Sequence, residues 1–311
     1  MNSLSITVTQ VSILAAEIGI GYVLAKKGKI PQTALQVLTF LCANIALPCS
    51  IFLAVSSLEN SPVIWRSLLL ESAIIIPCSI VQIAVCFLLF RKSGNKQKPV
   101  YQIATVYGNS AFMGIPIVTA LIGSEAFIFV TMLVIFDTIF LFTHASLALS
   151  DEKFSFGALL KKIFTPVTIA LLLGAIICIT GIQLPPLIQV SITDFRGMLT
   201  PLAMIIIGMQ LAGQNLSAIF KRWEFYGVAV IKLLLWPIVI MFSLLPFRQG
   251  IPIVIITTIV ICKATPQPAI LGAVAAANGL DGEAAAGVVG LNTILSAITL
   301  PVIAGICTLL Y

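Results

Sequence analysis

Charge is what this chain has least of. Only 9% of its 311 residues are Asp, Glu, Lys or Arg, against roughly 25% in an ordinary soluble domain. There is one histidine, and no polar stretch is long enough to fold alone. Seventeen basic and eleven acidic side chains cannot coat a body of 33.2 kDa in water. That shortage excludes a soluble globular enzyme. With 59% hydrophobic residues it also excludes a disordered chain or a coiled coil. No Gly-x-x-x-x-Gly-Lys-Ser/Thr loop is present, so ATP could drive the protein only through a partner subunit. None of the seven cysteines (Cys42, Cys49, Cys78, Cys86, Cys178, Cys262 and Cys307) forms a Cys-x-x-Cys pair, and all fall in apolar stretches. They read as small packing residues, with neither a disulfide nor a zinc site expected. No cofactor, metal or nucleic acid is expected as a partner.

What the chain has instead is hydrophobic length. Its mean hydropathy is +1.14, and a membrane crossing takes about 20 apolar residues. Ten spans are predicted, at 4–25, 33–56, 64–90, 100–121, 126–149, 164–181, 187–212, 224–245, 252–277 and 284–310. The fold class is an all-α integral membrane protein, one domain over 1–311. The first span has no basic residue ahead of it and ends in Lys26-Lys27-Gly28-Lys29, which reads as a retained helix rather than a cleaved signal.

The formal charge of +6 reports topology rather than nucleic acid. Odd-numbered connections hold Lys26, Lys27 and Lys29, then Arg91, Lys92, Lys96 and Lys98, then Lys153, Lys161 and Lys162, then Lys221 and Arg222. Even-numbered ones and their edges hold only Arg66, Arg196 and Arg248. This twelve-to-three bias places the odd connections in the cytoplasm and both termini outside the plasma membrane.

Prolines suggest an internal repeat. Pro31, Pro48, Pro77, Pro99 and Pro116 pair with Pro185, Pro201, Pro237, Pro252 and Pro268 at offsets of 152 to 160 residues. Repeat one would cover about 1–150 and repeat two about 151–311, with five spans each. Five is odd, so the second half inserts upside down, as in many secondary transporters.

Two spans are hostile to helix at membrane depth. The fourth contains Tyr107-Gly108-Asn109-Ser110-Ala111-Phe112-Met113-Gly114-Ile115-Pro116, and the ninth Lys263-Ala264-Thr265-Pro266-Gln267-Pro268. Proline removes a donor and glycine loosens the helix. Freed backbone groups survive there only against protein or a wet cavity. Paired breaks in inverted halves point to a midplane binding site whose half-helix N-termini suit an anion. Plain proline kinks are the bland alternative.

Lys263, about eleven residues into its span, is costly in a bilayer. It reads either as one half of a structural ion pair with Glu17, Glu71 or Asp137, or as a fixed cation for an anionic substrate. The two roles are compatible if substrate replaces the carboxylate. Asp137 is mid-span, where a carboxylate can take up a proton or bind sodium. Asn292, Thr293 and Ser296 hold the repeat-related place and could pack against the ninth-span break or coordinate a cation. Glu17 is a further ion-coupling candidate. Asn44 and Pro48 bend the second span, and Gly208-Met209-Gln210 occupies the related place in the seventh; helix packing is the bland reading of both. His144, near the cytoplasmic end, reads as a surface residue. Lys232 reads as an edge residue reaching the headgroups.

Four stretches resemble the auxin efflux carrier family of membrane permeases, part of the larger group that includes bile acid:sodium symporters. They are Gly21-Tyr22-Val23-Leu24 running into Lys26-Lys27-Gly28, Ala46-Leu47-Pro48 with Ile51-Phe52, Gly108 through Pro116, and Pro266 through Asn292-Thr293 to Thr299-Leu300-Pro301. The resemblance implies two inverted five-helix repeats, with helices four and nine broken and crossing, and a scaffold part moving against a transport part. It implies movement of small organic anions such as malate, malonate or auxin-like carboxylates. The family's Asn-x-x-x-x-Gly-x-Pro run maps onto Asn109, Gly114 and Pro116, and its second crossover onto Pro266 and Pro268. Glu17 is not expected as a family feature. The long cytoplasmic loop of the plant carriers is missing, which favours a compact bacterial-type permease.

The leading expectation is a secondary transporter of a small carboxylate, working by alternating access and driven by a proton or sodium gradient. Lys263 would balance the substrate charge, Asn109, Ser110, Gly114, Pro116, Thr265, Pro266, Gln267 and Pro268 would line the site together with Asn44, and Asp137 would bind the driving cation. A passive channel or membrane sensor is the alternative. A serine hydrolase built on Ser110 and His144 is remote, because Phe112 breaks the Gly-x-Ser-x-Gly elbow. Substrate identity and oligomeric state, a homodimer included, are open.

Overall fold

In a computed structural model, residues 3–31, 33–58, 60–94, 96–123, 125–149, 165–268, 271–277 and 279–311 are described. The third basic cluster, Lys153, Lys161 and Lys162, lies outside them. Among the described residues the protein is all helix. The helices are α1 (Ser3–Lys26), α2 (Ala34–Ser56), α3 (Pro62–Leu89), α4 (Lys98–Val106), α5 (Ile115–Ile122), α6 (Ala126–Leu149) and α7 (Pro166–Thr180). They continue as α8 (Pro186–Gly197), α9 (Leu199–Ala212), α10 (Leu216–Lys221), α11 (Glu224–Phe247), α12 (Ile253–Ala264), α13 (Leu271–Ala277) and α14 (Gly282–Leu310). Among the described residues six stretches are long and apolar enough to cross a membrane: Ala34–Ser56, Pro62–Leu89, Lys98–Ile122, Pro186–Ala212, Glu224–Phe247 and Gly282–Leu310.

The polarity is inside out. Leu69, Ile80, Ile176, Val190, Ile298 and Leu309 are exposed, whereas Glu71, Gln82, Asp137, Lys232, Lys263 and Asn292 are buried. Water would reverse that sorting, and a hydrocarbon exterior favours it.

Proline explains the local departures from α-helix. Among the described residues three turns are widened to π geometry, at Cys42–Ala46, Ser110–Gly114 and Ile231–Leu235. In each, the residue just before a proline donates its amide to the carbonyl five residues back: Leu47 to Cys42, Ile115 to Ser110, and Trp236 to Ile231. The prolines are Pro48, Pro116 and Pro237. Proline lacks an amide and clashes with the carbonyl four residues back, and the extra residue in the turn relieves that clash.

Small residues set the closest helix contacts. A Cβ on Gly21 of α1 would overlap the backbone of Ile205 in α9, and one on Gly208 would overlap the Ile18 carbonyl. The two glycines therefore let α1 and α9 touch backbone to backbone, which confirms the packing reading of Gly208. Gly19, on the same helix as Gly21, meets nothing within 4 Å. Gly208→Val is expected to lower the yield of monodisperse protein in detergent several-fold, and Gly19→Val to leave it unchanged. Overpacking of this kind costs about 1–3 kcal/mol where neighbours can yield, and backbone yields least. Equal yields from the two variants, read by size-exclusion chromatography, would remove the contact's importance.

Candidate functional site

The site grows from two helix ends. α4 stops at Val106 because Tyr107 turns extended (φ −93°, ψ 140°), and the chain resumes helix only at Ser110. α12 stops at Ala264, where Thr265 turns extended (φ −66°, ψ 149°) ahead of Pro266-Gln267-Pro268. Pro266 dictates the second stop, since the residue before a proline disfavours helical geometry. The breaks meet: the Asn109 amide donates to the Pro266 carbonyl at 2.6 Å. Gly108 makes that meeting sterically allowed. A Cβ there would overlap Thr265 Oγ1 and lie 2.7 Å from the Cys262 carbonyl oxygen.

Each break leaves carbonyls without helical donors, and side chains supply them. Gln267 Nε2 donates to the Ala104 carbonyl at 2.8 Å. Thr265 Oγ1 donates to the Cys262 carbonyl at 2.6 Å. Lys232 Nζ donates to the Lys263 carbonyl at 3.0 Å and to the Val106 carbonyl at 3.3 Å. This corrects the expectation for Lys232: it is fully buried at the crossing rather than at a headgroup edge. It shares an inward stripe of α11 with Phe225, Val228, Ala229 and Trp236. Two orphan carbonyls there offset the desolvation of its ammonium.

Lys263 is equally buried and finds Asp137 of α6, with Nζ to Oδ1 at 2.7 Å. Of the three carboxylates open to it, Asp137 is thus the partner. Glu71 lies fully buried on α3 with neither oxygen hydrogen-bonded, and Glu17 is half-buried on α1 with Oε2 likewise unpaired. Asp137 Oδ2 has no hydrogen-bond partner either.

His144 is buried too, a second correction. Its Nδ1 lies 3.3 Å from Tyr107 Oη, and its ring also packs on Phe87. It therefore belongs beside the first break rather than at the protein surface. Ser110 lies against Cys262: its Cβ and the Cys262 Sγ both border the space a Cβ on Gly114 would take. His144 and Ser110 thus have different neighbours, and the hydrolase geometry is not formed.

The crossing gathers Asn109, Ser110, Gly114, Lys263, Thr265, Pro266 and Gln267, all buried, with Asp137 against them. Pro116 and Pro268 are half-buried just beyond the breaks. Asn292 is fully buried on α14 with both amide atoms unpaired, whereas Thr293 donates to the Val289 carbonyl in its own helix. Thr293 and Ser296 border a small crevice shared with Leu14, Met113 and Ile117. Asn44 stands apart. Its Nδ2 donates to the Phe40 carbonyl one turn back, and its turn packs on α7, α8 and α9.

Sequence comparison adds the family. The profile of a family described as membrane transport protein matches residues 6–154 and 152–304. A protein named an uncharacterized transporter, from Methanothermobacter thermautotrophicus, is 27% identical over 305 residues, covering 95% of this chain and 96% of its own. The chain therefore belongs to the auxin efflux carrier family of membrane transport proteins.

Proposed function

We propose that the protein is a secondary transporter of small organic anions, malate-, malonate- or auxin-like carboxylates, working by alternating access around the crossed breaks. The observation that carries this reading is the Lys263–Asp137 pair set against two interrupted helices. A buried ammonium held by one internal carboxylate is a seat that a second carboxylate can contest. When substrate takes Lys263, Asp137 loses its counter-charge, and a proton or sodium ion compensates it. Displacement of one by the other would couple the substrate to the ion. Asn109, Ser110, Thr265 and Gln267 line the same seat, and Asn292, Thr293 and Glu17 are secondary candidates for the ion.

The reading includes ten crossings arranged as two inverted repeats of about 1–150 and 151–311. Reciprocal packing supports it: the first span packs on the seventh as α1 on α9, and the second on the sixth as α2 on α7. End contacts support the parity. Gln97 reaches Asp281, joining the third and ninth connections. Arg248 reaches the Leu310 carbonyl, joining the eighth connection to the C-terminus. Odd ends meet odd and even ends meet even, as a protein with both termini on one side of the membrane requires.

The test is uptake by reconstituted vesicles offered a panel of mono- and dicarboxylates under separately imposed proton and sodium gradients. One carboxylate is expected to accumulate under one gradient, and Lys263→Gln is expected to cut that accumulation at least tenfold. Flux that ignores both gradients would make the protein a channel instead.

A further inference from the structure

The ammonium of Lys232 occupies a place built for a cation. Val106 is the last residue of α4 and Lys263 the last but one of α12, so two helix C-termini converge on one nitrogen. Each such end carries the equivalent of about −0.5 charge. Both ends are buried, where water does not serve the orphan carbonyls. Transporters built on interrupted helices commonly use such C-terminal ends and unwound carbonyls to coordinate sodium. Here the position already has its positive charge, tethered to α11. Charges at the crossing balance on that basis. Lys263 answers Asp137, and Lys232 answers two half-charges of roughly −0.5 each. Gly108 supplies the room, since a Cβ there would lie 3.2 Å from Lys232 Nζ.

We propose that Lys232 is a built-in substitute for a coupling sodium ion at the crossing, so that these carbonyls take no sodium from solution while the ammonium is present. The proposal rests on the reading of the crossing as the transport site and narrows it. Any ion driving transport must act elsewhere, with Asp137, the carboxylate paired with Lys263, to carry it. Lys232 acts here as a positioning residue, holding two half-helices in register without touching substrate.

The experiment is cation rescue. Purified wild type, Lys232→Ala and Lys232→Arg are melted in detergent at one ionic strength in sodium, potassium, choline or methylammonium chloride. Wild type and Lys232→Arg are expected to respond alike to the four salts, since neither leaves the carbonyl pair open. Lys232→Ala is expected to melt roughly 5 °C or more lower in choline. It should regain at least half of that loss in sodium or methylammonium, which fit the vacated position as choline does not. A merely structural lysine would leave a variant equally weak in every salt. A Lys232→Ala protein that sodium and methylammonium stabilise over choline no more than they stabilise the wild type would overturn the proposal, and so would one indifferent to all four cations. Should Lys232→Ala yield no folded protein, Lys232→Met takes its place, with rescue supporting the proposal and indifference overturning it as before. Failure of both variants to fold in any of the salts means that rescue has failed. None of these measurements involves an organic anion, so their failure leaves the carboxylate transport reading untouched, and the reverse also holds.

Discussion

Asp137→Ala and Lys263→Met, made singly, are each expected to destabilise the protein by about 3–5 kcal/mol, because each leaves its partner buried and unpaired. In detergent that corresponds to a fall in the thermal midpoint on the order of 10 °C. The double variant Asp137→Asn with Lys263→Gln should recover most of the loss, since it leaves no uncompensated charge between α6 and α12. Transport should not recover with it. Two amides can preserve the packing, but under the proposed mechanism they offer no ammonium to an incoming carboxylate and no carboxylate to a driving cation. Uptake by the double variant is therefore expected to stay at least tenfold below wild type. Stability and uptake thus part company only if the pair takes part in transport. A pair that only holds helices together would give back activity together with stability. A double variant that is both stable and fully active in gradient-driven uptake would remove Lys263 and Asp137 from the mechanism.

What could be foreseen from the residues, and what could not, follows from how apolar helices encode their neighbours. Helix limits were legible because apolar runs end in Gly, Pro and charge: the span expected at 126–149 is Ala126–Leu149, and that at 224–245 is Glu224–Phe247. The breaks were legible because Gly108 and Pro266 speak about backbone directly, without reference to any partner. The partner of Lys263 was not. Glu17, Glu71 and Asp137 all lie within apolar spans, and only the packing of α6 on α12 selects Asp137. The burial of Lys232 was hidden for a related reason. Depth can be counted along a helix, but in α11 nearly every face is apolar, so no stripe marks the side that meets protein. The burial of His144 was hidden likewise, its inward direction being set by Tyr107 and Phe87. The widened turns before Pro48, Pro116 and Pro237 were foreseeable only as bends, because Pro77 and Pro301 sit in helices without that turn.

Gly108→Ala carries the second large effect, from a single methyl group. The added Cβ would overlap Thr265 Oγ1, crowd the Cys262 carbonyl and approach the Lys232 ammonium. Neither relief is cheap. Thr265 already donates to that same carbonyl at 2.6 Å, and the carbonyl is backbone at the end of α12. The breaks must therefore separate, and the Asn109–Pro266 bond at 2.6 Å is the contact most exposed to that separation. Overpacking of this size costs about 1–3 kcal/mol. Placed on one side of a conformational equilibrium, it shifts that equilibrium roughly 5- to 150-fold. Transport that requires the breaks to stay joined is expected to fall at least tenfold, while the protein still inserts and purifies. Initial uptake rates at matched protein content in vesicles measure this directly. Wild-type rates in Gly108→Ala would mean that the crossing tolerates being prised apart, and that the contact between Asn109 and Pro266 does not organise the site.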